Sequence, residues 1–195
     1  DPAEGRMLLD ETDAREYDAA SIRARAGLVT SEASLFNDTV FQNVALGLKV
    51  ATLSEVENAC KSVGAHAFIE ALPEGYQTLL GEWGFSLSAG QRQKIALARV
   101  LLKNPELVVL DEATAHLDGP AEKEVLAALE TVLAGRTVVT ITHELRAVSA
   151  ADAVAVISGG RVVERGTHAE LLRAQGLYRR LFDLEAATLP AAERP

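Results

Sequence analysis

Leu107-Val108-Val109-Leu110-Asp111-Glu112 is the stretch on which the fold turns. Four consecutive apolar residues with no polar alternation read as a strand covered on both faces, the kind found inside a parallel sheet. Two acids then leave its end. Ligands of open α/β sheets bind beyond the carboxyl ends of the strands, so Asp111 and Glu112 fall where a metal-bound phosphate chain is met. Asp111 suits the oxygen shell of the metal, and Glu112 suits an attacking water. Alone, the hexapeptide equally describes an acidic pair that closes a strand and caps the next turn of chain.

Upstream lies Leu87-Ser88-Ala89-Gly90-Gln91, followed by a run rich in helix formers from Arg92 to Leu102. Ser88 with Gln91 three residues on is a capping-box pattern, which predicts a helix starting at about Ser88. The first-turn N–H groups of such a helix lack internal partners and sit at the positive end of the dipole, and Ala89 and Gly90 are small enough to let an anion approach. An ordinary capped helix with small residues for close packing has the same local sequence.

Order and spacing add what neither element carries alone. Leu87 to Gln91 with Arg92-Gln93 and Ala96-Leu97-Ala98-Arg99, then Asn104-Pro105, the apolar strand, Asp111-Glu112-Ala113-Thr114 and Ala115-His116-Leu117-Asp118, closely resemble the ATP-binding cassette (ABC) ATPase family. In that family the pentapeptide is the signature motif, here with Ala89 where glycine is usual. Leu107 to Glu112 match Walker B, Ala115 to Asp118 match the D-loop, and His143 in Thr140-Ile141-Thr142-His143 matches the switch histidine.

The resemblance implies an α/β, P-loop NTPase-like fold: a mostly parallel sheet flanked by helices, with a helical subdomain carrying the signature motif. On it, residues 38–103 are the helical subdomain with the signature helix, 104–185 the core with Walker B, D-loop and switch histidine, and 186–195 a tail. It also implies ATP and Mg²⁺, with Asp111 at the metal, Glu112 as general base or water-positioning carboxylate, and His143 at the γ-phosphate. Ser88 and Gly90 would contact nucleotide held by a second ABC nucleotide-binding domain, homologous or identical, because the family's sites form between two domains placed head to tail; Ala89, Gln91 and Asp118 are further nucleotide-binding candidates.

Two further stretches resemble the exporter branch. Tyr76-Gln77-Thr78-Leu79-Leu80-Gly81-Glu82-Trp83-Gly84 looks like the loop, here around Glu82, that exporters use to touch the coupling helices of their transmembrane domains. Gly27 to Val40, followed by Asn43-Val44, matches the segment around the Q-loop, where Ser31 stands in place of the family's glutamine. A serine hydroxyl is several bonds shorter than a glutamine amide and needs a bridging water to reach both metal and nucleophile. Ser31 is therefore expected to couple the metal weakly, as in the weak half of an unequal pair, or else to be a neutral loop substitution.

One family element is absent. No Gly-x-x-x-x-Gly-Lys-Ser/Thr occurs, and none of the five lysines follows a glycine. Without that loop's N–H groups and lysine the triphosphate loses most of its charge-stabilising donors, so this polypeptide alone is expected to bind ATP poorly and to be inactive by itself. Asp1 to Asp10 resemble the segment that follows the loop's helix, and the chain is expected to be the C-terminal portion of the nucleotide-binding domain.

Composition narrows the classes. The 195 residues are 48% hydrophobic and 24% charged, enough for one domain with a substantial core, and the formal charge of −9 argues against a general nucleic-acid partner. Cys60 is the only cysteine, which leaves no internal disulfide and no cysteine metal cluster. No uncharged apolar run approaches the roughly 18 residues of a membrane span. Placement at the cytoplasmic face of a membrane is thus an implication of the resemblance, through a transmembrane domain outside these residues.

Along the chain the sequence predicts a short strand at Arg6 to Leu9, a helix capped by Asp38 through Val44 to Leu46, and a capping box at Ser54 to Glu57 opening a helix to Val63. It predicts a further helix from Ala65 to Leu72 broken by Pro73-Glu74-Gly75, and a helix from Asp118-Gly119-Pro120 to Leu133. Thr137 to Thr142 and Ala153 to Ile157 read as buried strands, the second turning through Gly159-Gly160 into Val162 to Glu164. Thr167 to Glu170 cap a helix to Ala174 with His168 in its first turn, Leu177 to Leu184 form a last helix, and a frayed tail begins at Ala186. Three functions fit: an exporter-type ABC ATPase, a degenerate or regulatory half with a weak site of its own, and a non-transport ABC ATPase. The last would carry basic patches or long insertions, which this sequence lacks.

Overall fold

The computed structural model describes residues 2, 4–81, 87–115 and 117–188. Two compact units succeed one another along the chain, Asp1–Ile141 and Thr142–Pro195.

In the first unit β1 (Leu8–Leu9) pairs antiparallel with β2 (Thr12–Asp13). Asp10 and Glu11 turn the chain between them at φ 48 and 69, the primed-turn geometry of tight hairpins. The predicted strand from Arg6 is shorter than expected, and its partner was hidden because Asp-Glu lacks the glycine that marks such turns. Asp18 then caps α1 (Ala19–Arg25) by accepting from Ser21 N at 3.1 Å, and α1 runs directly into β3 (Ala26–Thr30).

The helical segment comprises α2 (Val40–Val44), α3 (Leu53–Ser62), α4 (His66–Glu70) and α5 (Ala89–Lys103). Two caps differ from the sequence reading. Thr39, not Asp38, caps α2, its hydroxyl accepting from Gln42 N at 3.1 Å, while Asp38 accepts from Thr39 N at 2.7 Å one residue earlier. The capping box of α3 joins Thr52 to Glu55 rather than Ser54 to Glu57. In both cases a threonine beside the expected residue takes the cap, since any short oxygen-bearing side chain in extended backbone serves. Cys60 is buried in this segment, and burial pushes its thiol up to about 11.

After α5 come β4 (Leu107–Asp111), α6 (Gly119–Leu133), whose cap is Asp118 as predicted, and β5 (Thr137–Ile141). The strands form a parallel sheet in the order β3-β4-β5. Its face bearing Val29, Val108 and Leu110 is buried in one core with Ile95, Leu97, Val125 and Val132. The other face carries the cross-strand row Leu28, Val109 and Val139; Leu28 is 61% and Val139 47% exposed. Every residue of β5 is exposed, so the expectation of a strand buried on both sides fails there. The reason is position: among the described residues β5 is the sheet's edge.

Gly27 sets the approach of α5 to the sheet. A Cβ at this position would lie 2.8 Å from Val100 Cγ1 and 2.9 Å from Pro105 Cγ. Gly27→Ala is therefore expected to lower the stability of this unit by about 1–3 kcal/mol, seen as a lower urea midpoint at unchanged slope; an unchanged midpoint would show that Val100 and Pro105 yield freely.

The second unit is smaller. β6 (Val154–Ser158) and β7 (Arg161–Gly166) form a hairpin turning at Gly159 and Gly160, both at positive φ. Only Val156 of β6 is buried, so this expected core strand is mostly surface. α7 (His168–Ala174) opens with the predicted Thr167–Glu170 capping box, and α8 (Leu177–Thr188) runs past Leu184 into the stretch expected to fray. The remainder of that tail lies outside the described residues. Glu164 on β7 accepts from Leu177 N and Tyr178 N, capping α8 from a neighbouring element. His168 Nδ1 lies 2.7 Å from the Tyr178 hydroxyl, the structural role its first-turn place implied.

Candidate functional site

The three strands of the first sheet end in register. Thr30 pairs with Asp111, and Asp111 with Ile141, so Ser31 and Asp111-Glu112 emerge at one carboxyl edge. Asp111 is exposed there and Glu112 half-buried. Glu112 adopts φ 50, a left-handed conformation that costs a non-glycine residue on the order of 1–3 kcal/mol unless its surroundings hold it. Two backbone bonds do so: Glu112 N donates to Ile141 O at 2.9 Å, and Glu112 O accepts from Ala115 N at 2.9 Å. The turn swings the Glu112 side chain off the strand's alternation, so two successive acids need not lie on opposite faces of the sheet.

The signature segment forms the expected N-terminus of α5. Ser88 Oγ accepts from Gln91 N at 3.2 Å while Gln91 Oε1 accepts from Ser88 N at 2.9 Å, the reciprocal pair of a capping box. A Cβ on Gly90 would lie 3.0 Å from Ala121 Cβ. Gly90 thus lets the first turn of α5 lie directly against the first turn of α6, where Asp118 Oδ1 accepts from Ala121 N at 2.9 Å. Ser88 to Gln91 and Asp118 are brought together by this contact, two helix N-termini side by side.

Two polar residues of α5 are buried, and the sequence reading gave neither a role. Gln93 is 1% exposed, and its Nε2 donates to Thr30 O at 3.0 Å and to Ala113 O at 2.6 Å. Lys94 donates to Glu124 of α6 at 2.6 Å and to Gly64 O at 3.4 Å. Their signal was available: both interrupt an otherwise apolar helix stripe through Gly90 and Leu97, where a polar side chain needs a specific partner.

His143 belongs to the second unit, two residues beyond β5, and is exposed. The preceding Thr142 hydroxyl accepts from Glu144 N at 2.9 Å, fixing the turn just after the histidine. Residues 82–86, which include the Glu82 loop, and His116 of the D-loop lie outside the described residues. The described start of that loop is anchored by Tyr76, buried and 2.9 Å from His66 Nδ1. A cleft lined by Leu8, Tyr17, Ile22, Arg25, Glu106 and Thr137 sits at the opposite, amino-terminal edge of the sheet and includes none of the candidate residues.

Among the described residues no group of three or more His, Cys, Asp or Glu side chains is placed to hold a metal. A lone strand-end carboxylate such as Asp111 fits Mg²⁺ all the same, because that ion keeps most of its waters and takes one or two carboxylates with substrate phosphates.

Residues 1–115 match the model of the ABC transporter family. The chain belongs to the ABC transporter family. Its relatives include ABC transporter B family member 19 of Arabidopsis thaliana, 46% identical over 186 residues that make up 95% of this chain and 15% of that protein. The ATP-dependent lipid A-core flippase of Thiobacillus denitrificans is 46% identical over 186 residues, 95% of this chain and 32% of the flippase. In three dimensions the chain matches a bacterial Atm1-family ABC exporter solved with ATP bound, at a TM-score of 0.87 and 40% identity, covering 95% of this chain and 33% of that one. This ABC family chain has the parallel sheet flanked by helices of that structure, and it spans about a third or less of the length of these relatives. Among the described residues no helix is long and apolar enough to cross a membrane.

Proposed function

We propose that this chain is the ATP-hydrolysing part of an ABC exporter, working at the cytoplasmic face of a membrane as one of two nucleotide-binding domains placed head to tail. The observation that carries the reading is the shared carboxyl edge at which Ser31, Asp111 and Glu112 emerge, with the capped signature helix bonded to it. Export, rather than another use of ATP, is supported by relatives named as a lipid A-core flippase and an Atm1-family exporter.

In this reading Asp111 holds Mg²⁺, which when bound draws charge from the phosphate oxygens. Glu112 would accept the proton of the attacking water as the water oxygen bonds to the terminal phosphorus and the bond from that phosphorus to the bridging oxygen breaks, leaving ADP, and His143 would donate a hydrogen bond to the departing phosphate. Ser88 to Gln91 and Asp118 face the nucleotide of the second domain; with Ser88 Oγ accepting from Gln91 N, its hydroxyl hydrogen is the group presented to an anion. The residues present fit the terminal phosphate, its metal and its water. The donors that cradle the inner phosphates belong to a Gly-Lys loop this sequence does not contain, so the 195-residue chain by itself is expected not to turn over ATP. Residues 38–103 serve as the helical subdomain, and the loop around Glu82 meets the coupling helices of a transmembrane domain.

The test is ATP-driven movement of substrate by the complete transporter in sealed vesicles, with phosphate release measured in parallel. Efflux that depends on hydrolysis is expected; hydrolysis indifferent to the membrane part would overturn the export reading. A second reading, a weak half of an unequal pair, is favoured by Ser31. Under it, Ser31→Gln raises phosphate release severalfold by restoring reach to the metal; no gain assigns Ser31 to neutral loop variation and leaves the pair equal.

A further inference from the structure

We infer that Gln93 is a positioning residue whose single side-chain amide fixes both the turn carrying Glu112 and the strand end leading into Ser31. The inference rests on the reading of Glu112 as the carboxylate that takes the water's proton. The strained backbone at Glu112 is gripped from two sides. Its own N–H is held by Ile141 O at 2.9 Å, and the carbonyl of the next residue, Ala113, is held by Gln93 Nε2 at 2.6 Å. The second hydrogen of the same NH₂ goes to Thr30 O at 3.0 Å, the carbonyl of the peptide bond whose nitrogen is that of Ser31.

Three features make this more than packing. Facing two carbonyl oxygens, the amide can present only its nitrogen, so its orientation is fixed by its partners. Gln93 and Ala113 are 1% and 7% exposed, so at Ala113 water does not stand in for a lost bond, and a side chain without donors leaves the buried carbonyl of Ala113 and the half-buried carbonyl of Thr30 without this partner. Gln93 also lies on α5 five residues after Ser88, about 7 Å along the helix axis. A shift of the signature helix is therefore passed directly to the strand ends at Ser31 and Glu112, and the site facing a partner's nucleotide is tied to the chain's own catalytic edge through one side chain.

Gln93→Met keeps length and volume while removing both donors. In the complete transporter it is expected to lower kcat for ATP about tenfold to a hundredfold, the scale of a misplaced catalytic group. KM should stay within about twofold, because the bond acts on transition-state geometry rather than on binding. Hydrogen exchange on the same protein should accelerate at Ser31, Glu112 and Ala115 and remain as in the wild type across α3. Uniformly faster exchange, or kcat and KM moving together with lost stability, would reduce Gln93 to a core residue and overturn the inference. Should the variant fail to fold, NMR of the wild-type chain decides: both Nε2 hydrogens of Gln93 exchange slowly if the clamp exists, and at the rate of an exposed glutamine if it does not. Glu112→Gln run alongside separates the two ideas. If it retains full turnover while Gln93→Met shows the local exchange signature, the clamp stands and the assigned role of Glu112 falls.

Discussion

Glu112→Gln in the complete ATPase is expected to cut ATP turnover about 10²–10⁴-fold, the range of a lost general base, with ATP affinity little changed. Glutamine matches glutamate in size and keeps one acceptor oxygen, but an amide does not take up a proton at neutral pH. The backbone that places the side chain, at φ 50 and held by Ile141 O and the Gln93 amide, is untouched by the substitution. The loss should therefore appear in kcat alone. Steady-state phosphate release with equilibrium binding of labelled ATP separates the two quantities. Near-normal turnover would remove Glu112 from the chemistry and move the search to His143. Equal loss of binding and turnover would mean that the carboxylate organises the site rather than the proton.

Ser88→Arg should produce a comparable loss by a different route. It removes a cap worth about 0.5–2 kcal/mol and places a cation at the positive end of α5. The informative form is a mixed dimer in which one copy carries Ser88→Arg and the other Glu112→Gln. If Ser88 serves the opposite copy's nucleotide, both lesions fall in one site, the other site stays whole, and turnover persists well above that of either single-variant dimer. The dimer with Ser88→Arg in both copies should be lowered about a hundredfold, the scale of a lost charge-stabilising donor. A mixed dimer no more active than its parents would place Ser88 in its own copy's site and end the head-to-tail reading. Thermal unfolding of Ser88→Arg alone shows how much of its effect is the lost cap.

The candidate edge was legible in the sequence because its signals are local: an uninterrupted apolar run ending in two acids, and a serine three residues before a glutamine. The capping box at Ser88 and the cap at Asp118 arise from residues within one turn of each other, and both appear as read. The features that were not legible depend on contacts far apart in sequence. Gln93 reaches Thr30 and Ala113, 63 and 20 residues away, and nothing near it in the chain reveals those carbonyls. The left-handed Glu112 was equally hidden, since local preference would put glycine there. The caps of α2 and α3 were misplaced by one or two residues because Thr39 and Thr52 compete with neighbours of nearly equal capping strength. The exposure of β5 was misjudged because hydrophobicity reports what a strand would bury, not whether a neighbour is present to bury it.

That last point bears on how the 195-residue chain behaves in solution. β5 presents the N–H and C=O groups of an edge strand beside Val138, Val139 and Ile141, with the apolar row through Leu28 continuing across the sheet. An apolar edge free of proline and charge is a template for strand addition by a second copy. The isolated polypeptide is thus inherently sticky: concentrating it favours edge-to-edge association, and solubility at low concentration is no sign that the surface is satisfied.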